Sequence, residues 1–216
     1  MFRRPISTIL ENKMADMDQK ILLFNRWSTD SVQVSDLGLK NKINLKPVVI
    51  PRSGGRYAPI AFHKNDMNVV ERFINKLYVP GHKGKKHRIA SGECVGQSIV
   101  VMTAVKKAFE MIEKKSNKNP VQVLIDAIVN SAPYEEVAAY RLGGIIARKA
   151  IVVSPQRRLD LALRFITQGI FRATFRHNIT FEEAITKELL AIASNDPKTF
   201  AVMERSRLEK EAEGAR

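Results

Sequence analysis

Cysteine, acidic residues and long apolar runs are all scarce in this 216-residue sequence. The single cysteine, Cys94, excludes an internal disulfide bond and argues against a thiolate metal cluster. The sequence contains no run of about 18 apolar residues, and its N-terminus lacks the apolar core of a signal peptide. We therefore expect a cytosolic protein that has no membrane partner.

The shortage of acids leaves a strong basic excess. Lys and Arg total 36 against 22 Asp and Glu, which gives a formal charge of +14 and a pI near 10.0. Because like charges oppose compaction, such an excess is typical of a protein that binds a polyanion such as nucleic acid. The excess is concentrated, since residues 141–176 contain eight bases and one acid.

The spacing of apolar residues predicts a mainly α fold: about six helices in a bundle, one protruding β-hairpin and an irregular N-terminal arm. Prolines and Gly54-Gly55 interrupt residues 1–62, so we expect an arm there, with one or two short strands around Ser31 to Ser35. In residues 63–216 the apolar positions repeat every three or four residues, which predicts a helical core.

Short polar motifs predict where the core helices begin. A capping side chain accepts a hydrogen bond from an amide of the first turn, and proline suits the first helical position. Threonine followed three residues later by glutamate forms a capping box. These patterns predict helix starts at four places: Asn65 or Asp66, Asn119-Pro120, Thr180 with Glu183, and Asp196-Pro197.

A β-hairpin is predicted over residues 137–153, with Gly143 and Gly144 in its turn. Arg141 on the first strand, and Arg148 and Lys149 on the second, place cations beside branched apolar residues. Such a ribbon can enter an RNA groove and pack its apolar side on a neighbour. It can equally be an edge hairpin whose charges prevent aggregation. Spacing alone does not separate these interpretations.

The loop from Gly81 to Arg88 combines two glycines with four permanent cations: Lys83, Lys85, Lys86 and Arg88. Lys and Arg neutralise phosphates, and glycine lets the backbone approach a sugar-phosphate chain closely. The loop does not have the spacing of a nucleotide-binding P-loop. The alternative interpretation is a solvated turn.

The helix after Ser154 is predicted to have one apolar face and one basic face. The basic face carries Arg157, Arg164, Gln168 and Arg172 without carboxylate partners, which suits contact with phosphates. An ordinary solvated helix is the alternative. Together with the loop and the hairpin, these arginines complete the predicted RNA-binding set: Lys83, Lys85, Lys86, Arg88, Arg141, Arg148, Lys149, Arg157, Arg158, Arg164, Arg172 and Arg176.

Catalytic and metal-binding arrangements are missing from the sequence. Glu135 and Glu136 are adjacent and would point in different directions, so they do not form an acid–base pair. His82, His87 and Cys94 do not have the spacing of zinc ligands. We expect a protein that is not an enzyme and has no cofactor and no metal.

Residues 66–216 contain a series of motifs: Val69–Lys76, Gly84-Lys85-Lys86, Ala108–Ile112, Asn119–Leu124, Ala132–Val137, Gly143-Gly144 and Val153–Asp160. In order and spacing this series resembles the universal small-subunit ribosomal protein S seven family, whose eukaryotic member is called S five. The arm is similar to the archaeal and eukaryotic branch through Arg26–Thr29 and Ser53–Tyr57, and the length of Gly84 to Gln97 favours an archaeal source. The chain departs from the family pattern at Tyr134, where arginine is usual, and at Val152, where aspartate is usual.

The resemblance implies a structural protein in the head of the cytoplasmic small subunit, which binds the 3′ major domain of the rRNA and acts early in head assembly. It also implies that the hairpin faces the exit-site tRNA and the departing mRNA, with other head proteins as neighbours. The basic residues of the family correspond to Lys85, Lys86, Arg141, Arg148, Lys149, Arg157 and Arg158. The alternative is a stand-alone regulator that binds mRNA or DNA. A DNA reader requires a recognition helix, whereas a loop, a ribbon and an arginine face favour folded RNA.

Overall fold

The computed structural model describes residues 21–81, 83 and 96–216, and within them it is mainly helical. Six helices of ten residues or more agree with the predicted bundle. In chain order the elements are α1 (Leu37–Lys40), a 3-10 turn (His63–Asp66), α2 (Val69–Tyr78), α3 (Ser98–Ser116), α4 (Pro120–Ser131), β1 (Glu135–Leu142), β2 (Ile145–Val152), α5 (Pro155–Thr174), α6 (Phe181–Ala193) and α7 (Phe200–Glu213). No helix among these residues is long and apolar enough to cross a membrane.

Two of the predicted helix starts are confirmed. The Asn119 side chain accepts a hydrogen bond from the Val121 amide at 3.0 Å, and Pro120 occupies the first position of α4. Thr180 and Glu183 form the predicted capping box at the start of α6, with reciprocal bonds of 3.4 and 3.3 Å. These caps satisfy amides that have no partner within the helix.

The other two predicted starts are wrong by a few residues. Asn65 and Asp66 lie in the 3-10 turn, and α2 is capped by Asn68, which accepts from the Val70 amide at 2.9 Å. The side chain of Asp196 accepts from the Lys198 amide in a turn that precedes α7, whose N-cap is Thr199. Asp196 therefore stabilises a turn one step before the helix, because short polar side chains serve turns as well as caps.

Helix α5 lies at the centre of the bundle and packs against α2, α4, α6 and α7. The interior is apolar, with Phe73, Phe109, Leu124 and Ile166 fully buried. The described part of the arm joins this interior, since Trp27 meets the Phe109 ring edge-on at 5.7 Å. The strands predicted around Ser31 to Ser35 are absent from this described segment, where the backbone forms turns and irregular structure.

The hairpin pairs β1 with β2 in antiparallel register, from Glu135 opposite Val152 to Leu142 opposite Ile145. Its turn is the predicted glycine pair, but only Gly143 has a positive φ, of 61°. A positive φ at the first turn residue alone fits a type II′ turn, which matches the twist of the flanking strands. Within the described residues the two strands pair only with each other, and α7 packs against β1.

Candidate nucleic-acid interface

A concave surface of about 660 Å³ lies between the 3-10 turn, α2 and the first turns of α5. Five basic side chains and one carboxylate contribute its charge: Lys64, Arg72, Lys76, Arg157, Arg164 and Asp160. We call this surface the basic groove. Five cations against one lining acid favour an anionic ligand, and the concave shape concentrates their field.

Asp160 fixes two of the cations inside the groove. It accepts a hydrogen bond from Nη2 of Arg72 at 2.7 Å and another from Nζ of Lys64 at 2.5 Å. The Arg72 side chain is only 5% exposed, and its Nη1 has no hydrogen-bond partner among the described residues. Burial lowers the pKa of the Arg72 guanidinium while the charge of Asp160 opposes that shift, and arginine keeps its charge in proteins. A buried N–H donor without a partner is costly, and because this nitrogen is closed to solvent, a ligand oxygen reaches it only after a shift of the side chain.

The N-terminus of α5 opens into the same groove. Ser154 precedes this 20-residue helix without making a capping hydrogen bond, and Pro155 at the first position has no N–H. The helix dipole and the uncapped first turn attract anions. The Gln156 side chain also lines the groove, and both its amide nitrogen and its amide oxygen are buried without a partner in the described part of the chain.

Arg157 and Arg164, both predicted RNA-binding residues, meet in the basic groove, where each is exposed. Arg157 was predicted to have no carboxylate partner, but it has one. Its Nε and Nη2 donate to the two oxygens of Glu136 at 2.6 and 2.8 Å. The hydrogen bond to Glu136 raises the pKa of Arg157. Since the Arg157 side chain is 57% exposed, this ion pair is weak enough for a phosphate to compete with it.

Arg158 points into the protein. Its side chain is 6% exposed, its Nη2 donates to Asp36 at 2.6 Å, and its Nε donates to the Pro133 carbonyl at 3.1 Å. The guanidinium also lies 4.2 Å from the centre of the Tyr134 ring. Burial alone would raise the pKa of Asp36, but the hydrogen bonds and the charge of Arg158 outweigh it and lower that pKa. Arg158 therefore joins the arm to the base of the hairpin, and this buried position corrects its prediction as an RNA-binding residue.

The predicted basic face of α5 is divided. Gln168 is buried, which corrects its predicted place on the outer face. Arg172 is exposed, but it lines a separate cavity of about 360 Å³ with Lys83 and lies 5.7 Å from the Phe200 ring. Arg176 is exposed beyond the end of α5, beside Phe175. The face is divided because neighbouring helices cover its middle.

The hairpin distributes its cations over both faces. Arg141 pairs with Ile146, and Arg148 pairs with Ala139, so these two arginines share one face of the ribbon, whereas Lys149 lies on the other. All three cations are exposed. The cations lie beside apolar residues, as predicted, since Ile146 is on the face of the two arginines.

Three of the four cations predicted in the basic loop, Lys85, Lys86 and Arg88, lie outside the described residues. Lys83 is described, and its Nζ contacts a carboxylate oxygen of Glu204. Glu204 is almost fully buried, so this contact attaches the beginning of the loop to α7.

Most of the chain matches one known protein family. Residues 39–216 match the family model described as Ribosomal protein S7p/S5e. The chain belongs to this family. Proteins named small ribosomal subunit protein uS7 are similar to it over nearly their whole length. The relative from Nanoarchaeum equitans is 40% identical over 91% of this chain and 100% of that protein, and the one from Archaeoglobus fulgidus is 39% identical over 92% and 96%. A relative from Cenarchaeum symbiosum is 39% identical over 92% and 98%.

These similarities confirm the S7p/S5e resemblance and its archaeal branch. The S7p/S5e family is one of structural ribosomal proteins and not of enzymes. Tyr134, which departs from the usual S7p/S5e pattern, has a structural place, because its ring lies against the guanidinium of Arg158. The departure at Val152 falls on the last residue of β2, where the side chain is exposed.

Three cations of the basic groove in this S7p/S5e chain were missed from the sequence: Lys64, Arg72 and Lys76. Arg72 and Lys76 are four residues apart on α2, so helical periodicity places them on one side of that helix. Their partner Arg164 is far away in sequence. A surface shared by two helices becomes visible only when the packing of α2 against α5 is known.

Proposed function

We propose that this chain is a structural component of the small subunit of cytoplasmic ribosomes. In this proposal it binds the 3′ major domain of the small-subunit rRNA, in the head, through the basic groove. The names of its relatives, small ribosomal subunit protein uS7, support the ribosomal role. The single observation that carries the site is the groove itself, in which five cations surround one carboxylate.

The contacts in the groove favour phosphate as the ligand. Arg72 offers a buried N–H without a partner, Arg164 is exposed, and the uncapped N-terminus of α5 adds a positive dipole. Guanidinium groups bind phosphate oxygens through strong charge-assisted hydrogen bonds. These groups lie on helices of a packed core, so they read the shape of a folded RNA backbone without large rearrangement.

The proposal extends to assembly and to the exit site. We infer that binding of the 3′ major domain through the groove is an early step in assembling the head with neighbouring head proteins. The exposed cations of the hairpin, Arg141, Arg148 and Lys149, support contact with the exit-site tRNA and the departing mRNA.

Neutral substitutions in the groove test the proposal. The variant Lys76→Gln/Arg164→Gln should bind a 3′ major domain transcript more weakly than the wild type, with a log–log salt slope flatter by about 1.4 to 1.8 for two lost contacts. The matched control, Lys106→Gln/Lys118→Gln, removes the same charge from exposed positions outside the groove. This control should leave the affinity for the transcript and the salt slope nearly unchanged.

Sedimentation completes the test. Tagged wild-type protein should travel with the small subunit in a sucrose gradient, and the groove variant should do so at reduced occupancy. If the groove variant and the control bind the transcript equally well, the groove is not the rRNA site. A wild-type protein that stays at the top of the gradient would point to a stand-alone regulator.

A further inference from the structure

Phe62 lies at the edge of the basic groove and is 74% exposed. Its backbone is left-handed, with φ 62° and ψ −1°, in the residue before the 3-10 turn. Bulky side chains rarely adopt this conformation, which is retained where the surrounding structure imposes it and is common at binding sites. Phe62 therefore places a large aromatic ring in solvent, at a position where glycine would have a less strained backbone.

The surroundings of Phe62 favour an anionic occupant with a flat apolar part. The ring borders the basic groove on one side and a second cavity of about 570 Å³ on the other, and Lys64 lines both. An apolar protein segment would gain nothing from the five cations of the groove. An unpaired nucleotide carries a phosphate for the cations and an aromatic base for the ring.

Gln156 supplies a group that matches a base edge. Its amide nitrogen and oxygen are both buried without partners in the described part of the chain, which is unfavourable, and the side chain must turn toward the groove to present this donor and acceptor to a ligand. Such an amide pairs with N6 and N7 of adenine in bidentate geometry. Arg72, which lines the same groove, has a buried N–H that also lacks a partner in the described part of the chain.

We propose that the basic groove holds one unpaired RNA nucleotide, an adenosine, whose base stacks on Phe62 and bonds to the Gln156 amide. Its phosphate lies beside Arg72 and the N-terminus of α5. This inference rests on the proposed rRNA binding and specifies which part of the RNA enters the groove. Recognition of a displaced base through stacking and edge contacts is the usual way in which proteins read RNA sequence.

The variant Phe62→Trp gives a direct signal. The only native tryptophan, Trp27, is 4% exposed, so the new indole would dominate any change in fluorescence on ligand binding. Short oligoadenylate should quench this fluorescence saturably and more strongly than oligouridylate, while a duplex of equal length should not. In the double variant Phe62→Trp/Gln156→Ala the preference for oligoadenylate should disappear. Absence of quenching by either single strand would overturn the stacking.

The variant Phe62→Gly separates binding from folding. Glycine tolerates a positive φ, so the melting temperature should stay equal or rise. Affinity for the 3′ major domain transcript should fall about tenfold, because one base–aromatic stack is lost. Leu37→Ala, which shortens an 81% exposed apolar side chain outside both cavities, is the control and should bind normally.

The outcomes distinguish this inference from the proposed function. If Phe62→Gly binds the transcript normally while Lys76→Gln/Arg164→Gln binds it weakly, the groove holds backbone alone and the nucleotide site is refuted. If both variants bind normally, the groove is not the rRNA site. A lower melting temperature in Phe62→Gly would make the ring structural. Normal RNA binding with failure to enter subunits would mean that Phe62 contacts a protein, which also overturns the inference.

Discussion

The basic groove and the hairpin both present cations, but they are built differently. The groove lies between helices of the core, and its carboxylate holds Arg72 and Lys64 in place. The hairpin strands pair only with each other in the described structure, and their cations are exposed. A two-stranded ribbon has little stability of its own in water.

If both regions bind RNA as proposed, this difference predicts two kinds of RNA contact. The groove presents charges at fixed positions. Binding therefore costs the ligand conformational entropy, whereas the side chains of the protein lose little. The exposed cations of the hairpin are not held in place by a carboxylate in the described structure, so they adjust to the surface of a binding partner. Two arginines of α5 contact the base of the hairpin: Arg158 holds the residues just before β1, and Arg157, which lines the groove, bonds to Glu136 within β1. Breaking these connections, or the hairpin itself, tests the comparison.

The largest effect is expected for Arg158→Ala. The substitution leaves Asp36 almost buried without its cation and removes the support of the hairpin base, so it should lower the free energy of unfolding by about 3 kcal/mol. Arg157→Ala, one residue away at an exposed ion pair, should lower it by less than about 1 kcal/mol. Urea unfolding followed by circular dichroism measures both. Equal losses in the two variants would remove the distinction between a structural and a surface arginine.

The burial of Arg158 could not be predicted from the sequence. The helical elements, the glycine turn and the capping box were predictable because each depends on residues close together in the chain. Arg157 and Arg158 look alike in sequence, and only the position of Asp36 and Pro133 shows that Arg158 is enclosed. Two of the five cations of the basic groove were predicted, and the other three were missed for the same reason. Arg157 and Arg164 share one helix, whereas Arg72 joins them only through tertiary packing.

A second prediction uses pH to break the same connection. The pKa of Asp36 is lowered in the folded protein, so the folded state binds fewer protons at this group than the unfolded state does. The stabilisation is therefore present above the unfolded pKa of about 3.9 and is lost as the pH falls through the lower folded value. Asp36→Asn should cost about 2 kcal/mol at pH 7, because a charge-assisted hydrogen bond is lost.

Urea unfolding of the wild type and of Asp36→Asn at several pH values provides the measurement. The difference between the two proteins should shrink steadily below about pH 4, as Asp36 of the wild type takes up its proton. A difference that stays constant down to pH 2 would mean that the Asp36 charge does not hold Arg158.

A third prediction concerns the tip of the hairpin. Deleting residues 141–142 and 145–146 leaves Tyr140 and Ala147, which already pair, on either side of the Gly143-Gly144 turn. Because two residues leave each strand, the remaining side chains keep their faces. The variant should fold, bind the 3′ major domain transcript normally and enter small subunits, but its ribosomes should retain exit-site tRNA about fivefold less well, roughly 1 kcal/mol.

Retention of labelled tRNA on purified ribosomes, with occupancy of the variant measured by mass spectrometry, tests this. Normal retention at full occupancy would contradict a tip that faces the tRNA. Reduced occupancy would instead assign the tip to assembly and make the hairpin resemble the groove in its role.

The smallest effect is expected where the two regions touch. Glu136→Gln removes the charge that holds Arg157 while keeping the shape of the side chain. Because the Arg157 side chain is 57% exposed, stability should change by less than about 1 kcal/mol. The released guanidinium becomes available to phosphate, so affinity for the transcript should rise about twofold and the salt slope should steepen by about 0.7 to 0.9.

The same substitution in an Arg157→Ala background should change neither the affinity nor the salt slope. A gain that persists without Arg157 would arise from the general loss of a negative charge, and the ion pair would then have no part in setting the charge of the groove.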